Sequence, residues 1–350
     1  MLIRFWGVRG SIPAPPSSYE LRDKIFKALT MALETRLKPW DIPSFINMLP
    51  HEVKSFVGGN TPCIEISHGK RILIFDAGSG IRNLGQLFTP SPAKDLLDAL
   101  ENPGVEHRDR HGEADPPRPK LNLDLILTHT HWDHIQGLPF FAPIYNPDTI
   151  LNIHGHDIQE KKRNLFIQQS DPSLFPLKFE DLPAKIIFHE FPDTGIVLEP
   201  FTVDSLALPH PGGSHAFRVK GFGFTVVFAT DYEIAGDSAD AIAKKEALKD
   251  FIANSDVFIS DSQYSYTESH SKEGWGHSSA LNIVELAVQA GVKSLYLFHH
   301  DPNYDDQKLY DILDKASSYA RLLFPQSTLG IRLAAEDTVI DLSDDVDDFS

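Results

Sequence analysis

Thr128-His129-Thr130-His131-Trp132-Asp133-His134 follows the alternating apolar run LNLDLIL at 121–127. The stretch reads HxHxDH and places four metal-capable side chains within six residues. Imidazole and carboxylate together suit a first-row divalent cation such as Zn2+. Two ligands two residues apart can chelate one ion from an extended segment, and the next pair can reach a second. The segment therefore predicts the start of a two-metal centre, carried where a strand ends. Loops at strand ends are where a rigid scaffold positions functional groups.

Further candidates follow the same pattern. The run LALP delivers His210, FAT delivers Asp231, and LYLF delivers His299, with His300 next in line as the alternative ligand. Asp76 closes the run RILIF and is expected to be structural, orienting a ligand. His277 stands before a helical pattern. It can serve as a proton donor near neutral pH or as a cap for that helix. His215, Asp261 and Tyr264 are candidates for the substrate pocket, with a plain loop or turn as the alternative. His154 and His156 read as loop residues, and Trp6, Trp132 and Trp275 as core or pocket walls.

The 350 residues suffice for one large α/β unit, and 41% hydrophobic content can bury a substantial core. Strand-like runs dominate from residue 2 to 8 onward, with helical patterns at 19–38, 239–254, 278–290 and 309–323. A second short helix is expected at 41–53. Strands with interspersed helices favour two packed sheets with helices outside, in a single domain over 1–350. Residues 15–57 look like a helical insertion. Residues 89–120 read as a charged, proline-rich surface excursion in which His107 and His111 are solvent-exposed, and 341–350 as a frayed acidic tail.

The net charge of −17 argues against a partner held by many phosphate contacts, such as duplex nucleic acid. A small anionic substrate stays compatible, because bound cations reverse the local sign. Cys63 is the single cysteine, so no internal disulfide and no thiolate cluster exists. The opening MLIRFWGVRG is too short and too broken by charge for a signal segment, and no apolar run reaches bilayer length. These features predict a cytoplasmic protein without membrane partners.

Taken in order, these motifs resemble the metallo-β-lactamase superfamily, which folds as an αββα sandwich. The resemblance implies that His129, His131 and His210 take one metal, that Asp133, His134 and His299 take the second, and that Asp231 bridges them. Gly276-His277-Ser278-Ser279 is similar to the histidine motif of the phosphodiesterase branch, which includes ribonuclease Z and cyclic phosphodiesterases. The opening Phe5-Trp6-Gly7-Val8-Arg9-Gly10-Ser11-Ile12-Pro13, with Gly58-Gly59-Asn60-Thr61, resembles a bacterial group of metal-dependent hydrolases within that branch. Members of this group include enzymes acting on cyclic nucleotides. True β-lactamases of the zinc class often place a cysteine in the second site, and no cysteine is available here beyond Cys63.

The expected activity is hydrolysis of a small or cyclic nucleotide phosphodiester by a hydroxide bridging two divalent ions, Zn2+ or alternatively Mn2+. Asp133 and Asp231 hold the ions, and His277 protonates the leaving alkoxide. The rivals are a thioester or lactone hydrolase on the same fold and a ribonuclease that processes the 3′ end of tRNA. Pairing into a homodimer is a further expectation, with the helical insertion as a candidate surface.

Overall fold

The computed structural model of the chain describes residues 1–342 apart from 36, 89–119, 171–174, 176, 235 and 237. The expected surface excursion with His107 and His111 lies outside the described residues, as does the acidic tail from 343 onward.

Two seven-stranded sheets face each other. The first has the order β14-β1-β2-β3-β4-β5-β6, from β1 (Leu2–Gly7), β2 (Cys63–His68), β3 (Arg71–Phe75), β4 (Leu121–Ile126), β5 (Thr149–Gly155), β6 (Lys185–Glu190) and β14 (Val339–Asp341). The second has the order β13-β12-β11-β10-β9-β8-β7. Its strands are β7 (Ile196–Leu198), β8 (Phe201–Leu208), β9 (Ser214–Gly221), β10 (Phe224–Ala229), β11 (Val257–Asp261), β12 (Ser294–Phe298) and β13 (Gly330–Leu333). Pairing is parallel from β3 to β6 and from β10 to β13.

Alternation decides which side each strand buries. In β4, Leu123 and Leu125 join the core on the helical side of the first sheet with Ile74, Leu151 and Ile153. Ile126 turns inward and joins Ile3, Phe5, Ile66 and Phe75 between the sheets. Helices cover both outer faces. On the first sheet these are α4 (Ile81–Gln86) and α6 (Ile158–Ser170). On the second they are α7 (Ala239–Ile252), α9 (Ala280–Gln289) and α10 (Asp306–Leu323). The result is the αββα sandwich. The small helices α5 (Trp132–Ile135) and α8 (Tyr266–Ser269) sit in loops between strands.

The segment between β1 and β2 is helical, with α1 (Ser18–Glu34), α2 (Ile42–Met48) and α3 (His51–Lys54). Ser17 and Glu20 form a reciprocal capping box at the start of α1. The single helix expected at 41–53 is two, because Pro50 interrupts it. β1 is not an edge strand: β14 pairs with it from Leu2↔Asp341 to Arg4↔Val339. His154 ends up in β5, buried, with Nε2 2.8 Å from Asp124 Oδ1, rather than in a loop. No described helix is long and apolar enough to cross a membrane.

An aromatic set ties the sheets together beneath the parallel strand ends. Phe228 meets Phe75 at 5.9 Å and Phe298 at 5.4 Å, edge to face, and all three are fully buried. Phe228→Ala should lower unfolding free energy by about 3–5 kcal/mol in denaturant titration. Phe222→Ala, at a residue 45% exposed, should cost well under half of that.

Candidate metal centre

The site forms where strands of both sheets end. Asp76 follows β3, the 127–134 segment follows β4, His210 follows β8, Asp231 follows β10 and His299 follows β12. Asp76, Asp231 and His299 sit at φ of 60°, 55° and 61°. This left-handed conformation is uncommon for residues other than glycine and costs on the order of 1–3 kcal/mol each. It breaks the strand's alternation and swings the side chain across the strand end.

Three groups of ligand atoms converge, each within 4.8 Å of one another: the two sets expected, His129, His131, His210 with Asp231 and Asp133, His134 with His299, and a third of Asp231, Asp261, His277 and His299. Asp231 faces both sets. Its Oδ2 lies 3.6 Å from His129 Nε2 and 3.6 Å from His210 Nε2, and its Oδ1 lies 3.2 Å from His134 Nε2 and 3.2 Å from His299 Nε2. Asp133 Oδ2 is 3.2 Å from His299 Nε2 and 3.4 Å from His134 Nε2.

The donor set fits divalent cations. His129 Nε2 and His134 Nε2 are buried and have no hydrogen-bond partner among the described residues, although carboxylate oxygens stand close by. The opposite ring nitrogens are engaged. His129 Nδ1 meets Thr128 Oγ1 at 3.0 Å, His134 Nδ1 meets Asp76 Oδ2 at 2.8 Å, and His210 Nδ1 meets Gly276 O at 2.9 Å. Outer partners of this kind fix ring orientation and leave the inner nitrogen for the metal. Burial lowers the pKa of His129, His131 and His210, which favours the neutral imidazole that ligates. Burial opposes ionisation of Asp133 and Asp231, yet His134, whose own pKa the neighbouring carboxylates raise against burial, and His299 outweigh it and hold both well below the usual carboxylate range.

His299, not His300, joins the cluster. His300 Nε2 turns away to Ala334 O at 2.9 Å, and burial next to Arg9 pushes its pKa down to about 3. Asp76 accepts from Thr128 N at 2.8 Å as well as meeting His134, so it fixes the His134 ring to the 127–134 segment.

His277 lies at the edge of both sets, its ring 5.0 Å from that of His299 and 5.3 Å from that of His210. It does not cap α9, because Ser279 does so by accepting from Asn282 N. Its Nδ1 is 2.7 Å from Asp261 Oδ2. Burial disfavours the imidazolium, but the Asp261 carboxylate prevails and raises the pKa to about 9.

Asp261 differs from its expected place in the pocket lining. It is fully buried and also accepts from Asp231 N at 3.1 Å, so it braces His277 and Asp231 from behind. Tyr264 is also buried, edge-on to His277 at 5.8 Å. His215 belongs to neither set. It stacks on His156 at 4.0 Å, and burial beside that ring pushes its pKa down to about 4. Trp132 and Trp275 are 57% and 63% exposed, so neither is a core residue.

The loop at residues 9–11 contributes more than its sequence suggests. Ser11 N donates to Asp133 Oδ2 at 2.7 Å, and a Cβ on Gly10 would stand 2.4 Å from His299 Cε1. Only a glycine lets this backbone lie against the His299 ring. Glu233 accepts from Gly274 N and Gly276 N at 2.9 Å and shapes the loop before His277. Both partnerships link residues far apart in the chain, so no local pattern announces them.

Gly10→Ala should displace His299 and lower bound metal per chain, measured by elemental analysis, with the circular dichroism spectrum retained. Asp76→Asn should weaken metal binding about 10–100-fold in chelator competition, because the His134 ring loses its anionic partner. Unchanged metal affinity in both variants would contradict the outer arrangement described.

Residues 96–300 match the family model described as the beta-lactamase superfamily domain, more than half of the chain. Relatives include ribonuclease Z of Latilactobacillus sakei subsp. sakei (strain 23K), 24% identical over 245 residues, covering 57% of this chain and 76% of that one. Ribonuclease Z of Anoxybacillus flavithermus (strain DSM 21510 / WK1) is 26% identical over 309 residues, covering 74% and 94%. Among solved structures, the metallo-beta-lactamase fold protein YhfI from Bacillus subtilis aligns with a TM-score of 0.58 at 19% identity, covering 97% and 98% of the two chains. Unliganded yeast PDE1 aligns at 0.57 with 17% identity over 81% and 95%, and a diphosphatase from the PhnP family at 0.54 with 14% identity over 98% of each. At these identities the structural likenesses establish the fold alone. With the αββα sandwich, the convergent ligands and the family match together, the chain belongs to the metallo-β-lactamase superfamily and is a metal-dependent hydrolase.

Proposed function

We propose that the enzyme is a phosphodiesterase with two divalent ions, Zn2+ or Mn2+, acting on a small or cyclic nucleotide. One metal would be held by His129, His131 and His210, the other by Asp133, His134 and His299, with Asp231 shared. When bound, such cations supply Lewis acidity: they lower the pKa of water and neutralise phosphoryl oxygens.

The observation that carries the reading is the Asp261–His277 pair beside both ligand sets. The pairing with Asp261 favours a ring that carries protons on both nitrogens. Nδ1–H donates to Asp261, and Nε2–H remains for the substrate. Attack by water forms a new P–O bond and breaks the bond to the leaving oxygen, while one water proton passes to solvent, from which His277 is later reprotonated. An alkoxide is a poor leaving group, and the Nε2 proton passes to it as that bond breaks. Asp261 then stabilises the ring and fixes its orientation. Relatives named ribonuclease Z support phosphoryl chemistry over acyl transfer.

The ribonuclease names of the relatives favour tRNA 3′ processing as a second reading. The net charge of −17 weighs against it, since an extended RNA needs many cationic phosphate contacts. Cleavage of a tRNA precursor at its 3′ end, without hydrolysis of mono- or dinucleotide substrates, would establish the second reading instead.

His277→Ala should reduce cyclic nucleotide hydrolysis by about 10²–10⁴-fold, with metal content unchanged. Hydrolysis of bis(p-nitrophenyl) phosphate, whose phenolate leaves without a proton, should fall far less. Equal losses on both substrates, or none on either, would remove His277 as the acid.

A further inference from the structure

Residues 270–279 lead from α8 into α9 and carry His277. Exposure by itself says little about Trp275 in that loop, since single apolar side chains are common on surfaces. What distinguishes Trp275, 63% exposed, is how its backbone is held. Glu233 accepts from the amides on both sides of it, Gly274 N and Gly276 N, at 2.9 Å each. The two glycines adopt φ of 83° and 87°, and Trp275 N donates to Lys272 O at 3.1 Å. Glu233 is itself anchored, because its amide donates to Pro209 O at 3.1 Å. The tip of the loop is therefore fixed before a ligand arrives, and little ordering is left to oppose binding.

The tryptophan also stands beside the ligand sets. Gly276 lies against the ring of His210: its carbonyl is 2.9 Å from Nδ1, and a Cβ there would come within 2.3 Å of the same atom. Neighbouring Cα atoms are about 3.8 Å apart, so Trp275 starts one residue from that contact and two from His277. Lys272 Nζ lies 6.0 Å from the Trp275 ring centroid. The same amine sits 4.0 Å over Tyr264, whose ring is 5.8 Å from that of His277, and it pairs with Asp301 Oδ2 at 3.2 Å. Lys272 thus ties the indole to the Tyr264–His277 side of the site. It approaches one face of the indole and leaves the other open to a ligand.

A flat, electron-rich face next to a centre that calls for cations suits a ligand with an anionic group at one end and a planar ring at the other. The histidine and carboxylate sets address cations and, through them, phosphoryl oxygens, so they cannot tell one ester group from another. The leaving oxygen that His277 protonates stays on the sugar. The sugar is therefore held on the His277 side, and the base it carries extends toward Trp275. Stacking accepts every base, because each has a π-face, so this contact separates ligands with a base from ligands without one.

We propose that Trp275 is the platform on which the base of the nucleotide stacks, and so the residue that makes the site prefer a nucleotide over the phosphate ester of a bare sugar. The inference rests on the nucleotide reading above. Calorimetric titration of the metal-loaded full chain should give adenosine 5′-monophosphate an affinity about 5–150-fold above that of ribose 5-phosphate, the advantage of one stacked base. Trp275→Ala should remove this preference, with ribose 5-phosphate affinity and metal content unchanged, and Trp275→Phe should retain most of it. Adenosine 5′-monophosphate should also quench the intrinsic fluorescence of the wild type, and Trp275→Phe should lose that quench. If the alanine variant misfolds by circular dichroism, the quench and its loss in the phenylalanine variant decide the question. Equal affinities for the two ligands in the wild type overturn the proposal, as does a preference that survives in Trp275→Ala. A quench that persists in Trp275→Phe and vanishes in Trp132→Phe assigns the base to Trp132 and overturns it too. A Trp275-dependent preference in an enzyme that cleaves no phosphodiester refutes the phosphodiesterase reading and leaves this inference standing, whereas cyclic nucleotide turnover without that preference does the reverse.

Discussion

The site depends on one carboxylate facing two ways. Asp231 directs Oδ1 at His134 and His299 and Oδ2 at His129 and His210. Four imidazoles from both sheets are thus gathered around a single buried anion. Asp231 can hold that position only because its amide donates to Asp261 and its backbone adopts φ 55° after β10. Asp261 also accepts from Gln263 N and meets His277, so one carboxylate behind the site fixes both the shared ligand and the proposed acid. Displacing either acid would unsettle both ligand sets together.

The fold opposes the strain of this arrangement with packing directly below it. Phe75 precedes Asp76 and Phe298 precedes His299, while Phe228 lies three residues before Asp231. These three rings interlock between the sheets at 5.4–5.9 Å. Each strand therefore ends with a bulky side chain locked in the core, followed closely by a left-handed residue that turns a polar side chain upward. Interiors are close-packed and deform little, so a well-filled layer can over-determine a backbone that would relax in isolation. The polar layer above is satisfied in turn by Thr128, Asp76 and the Gly276 carbonyl, which hold the outer nitrogens of the histidines.

Much of this was legible in the sequence because the chemistry-bearing residues lie at the ends of strongly apolar runs. The 121–127 alternation led straight to His129, and the runs before His210, Asp231 and His299 were equally plain. Strand register put His299 ahead of His300 without fixing the choice. Neighbouring strand residues point to opposite faces, and the left-handed turn at His299 resets that alternation. Helix α6 escaped notice because QEKKRN offers no apolar stripe. Strands β7, β13 and β14 are three or four residues long, too short for periodicity. The contact of Ser11 with Asp133 spans 122 positions, and that of Asp261 with His277 crosses a loop and a helical turn. Such contacts are set by topology, not by local pattern.

Charge gives the strongest physical reason to favour a small substrate. The chain carries −17 overall, yet the ligand atoms of the site call for cations. At physiological ionic strength, fields between exposed charges fade over about 8 Å. A small anion held at the strand ends would experience the local centre, where buried pairs are screened least, while more distant surface charge is damped. A long polyanion would extend beyond the site along a chain whose net charge is −17. On net charge alone, a ligand that ends at the site would meet less repulsion than an extended polyanion.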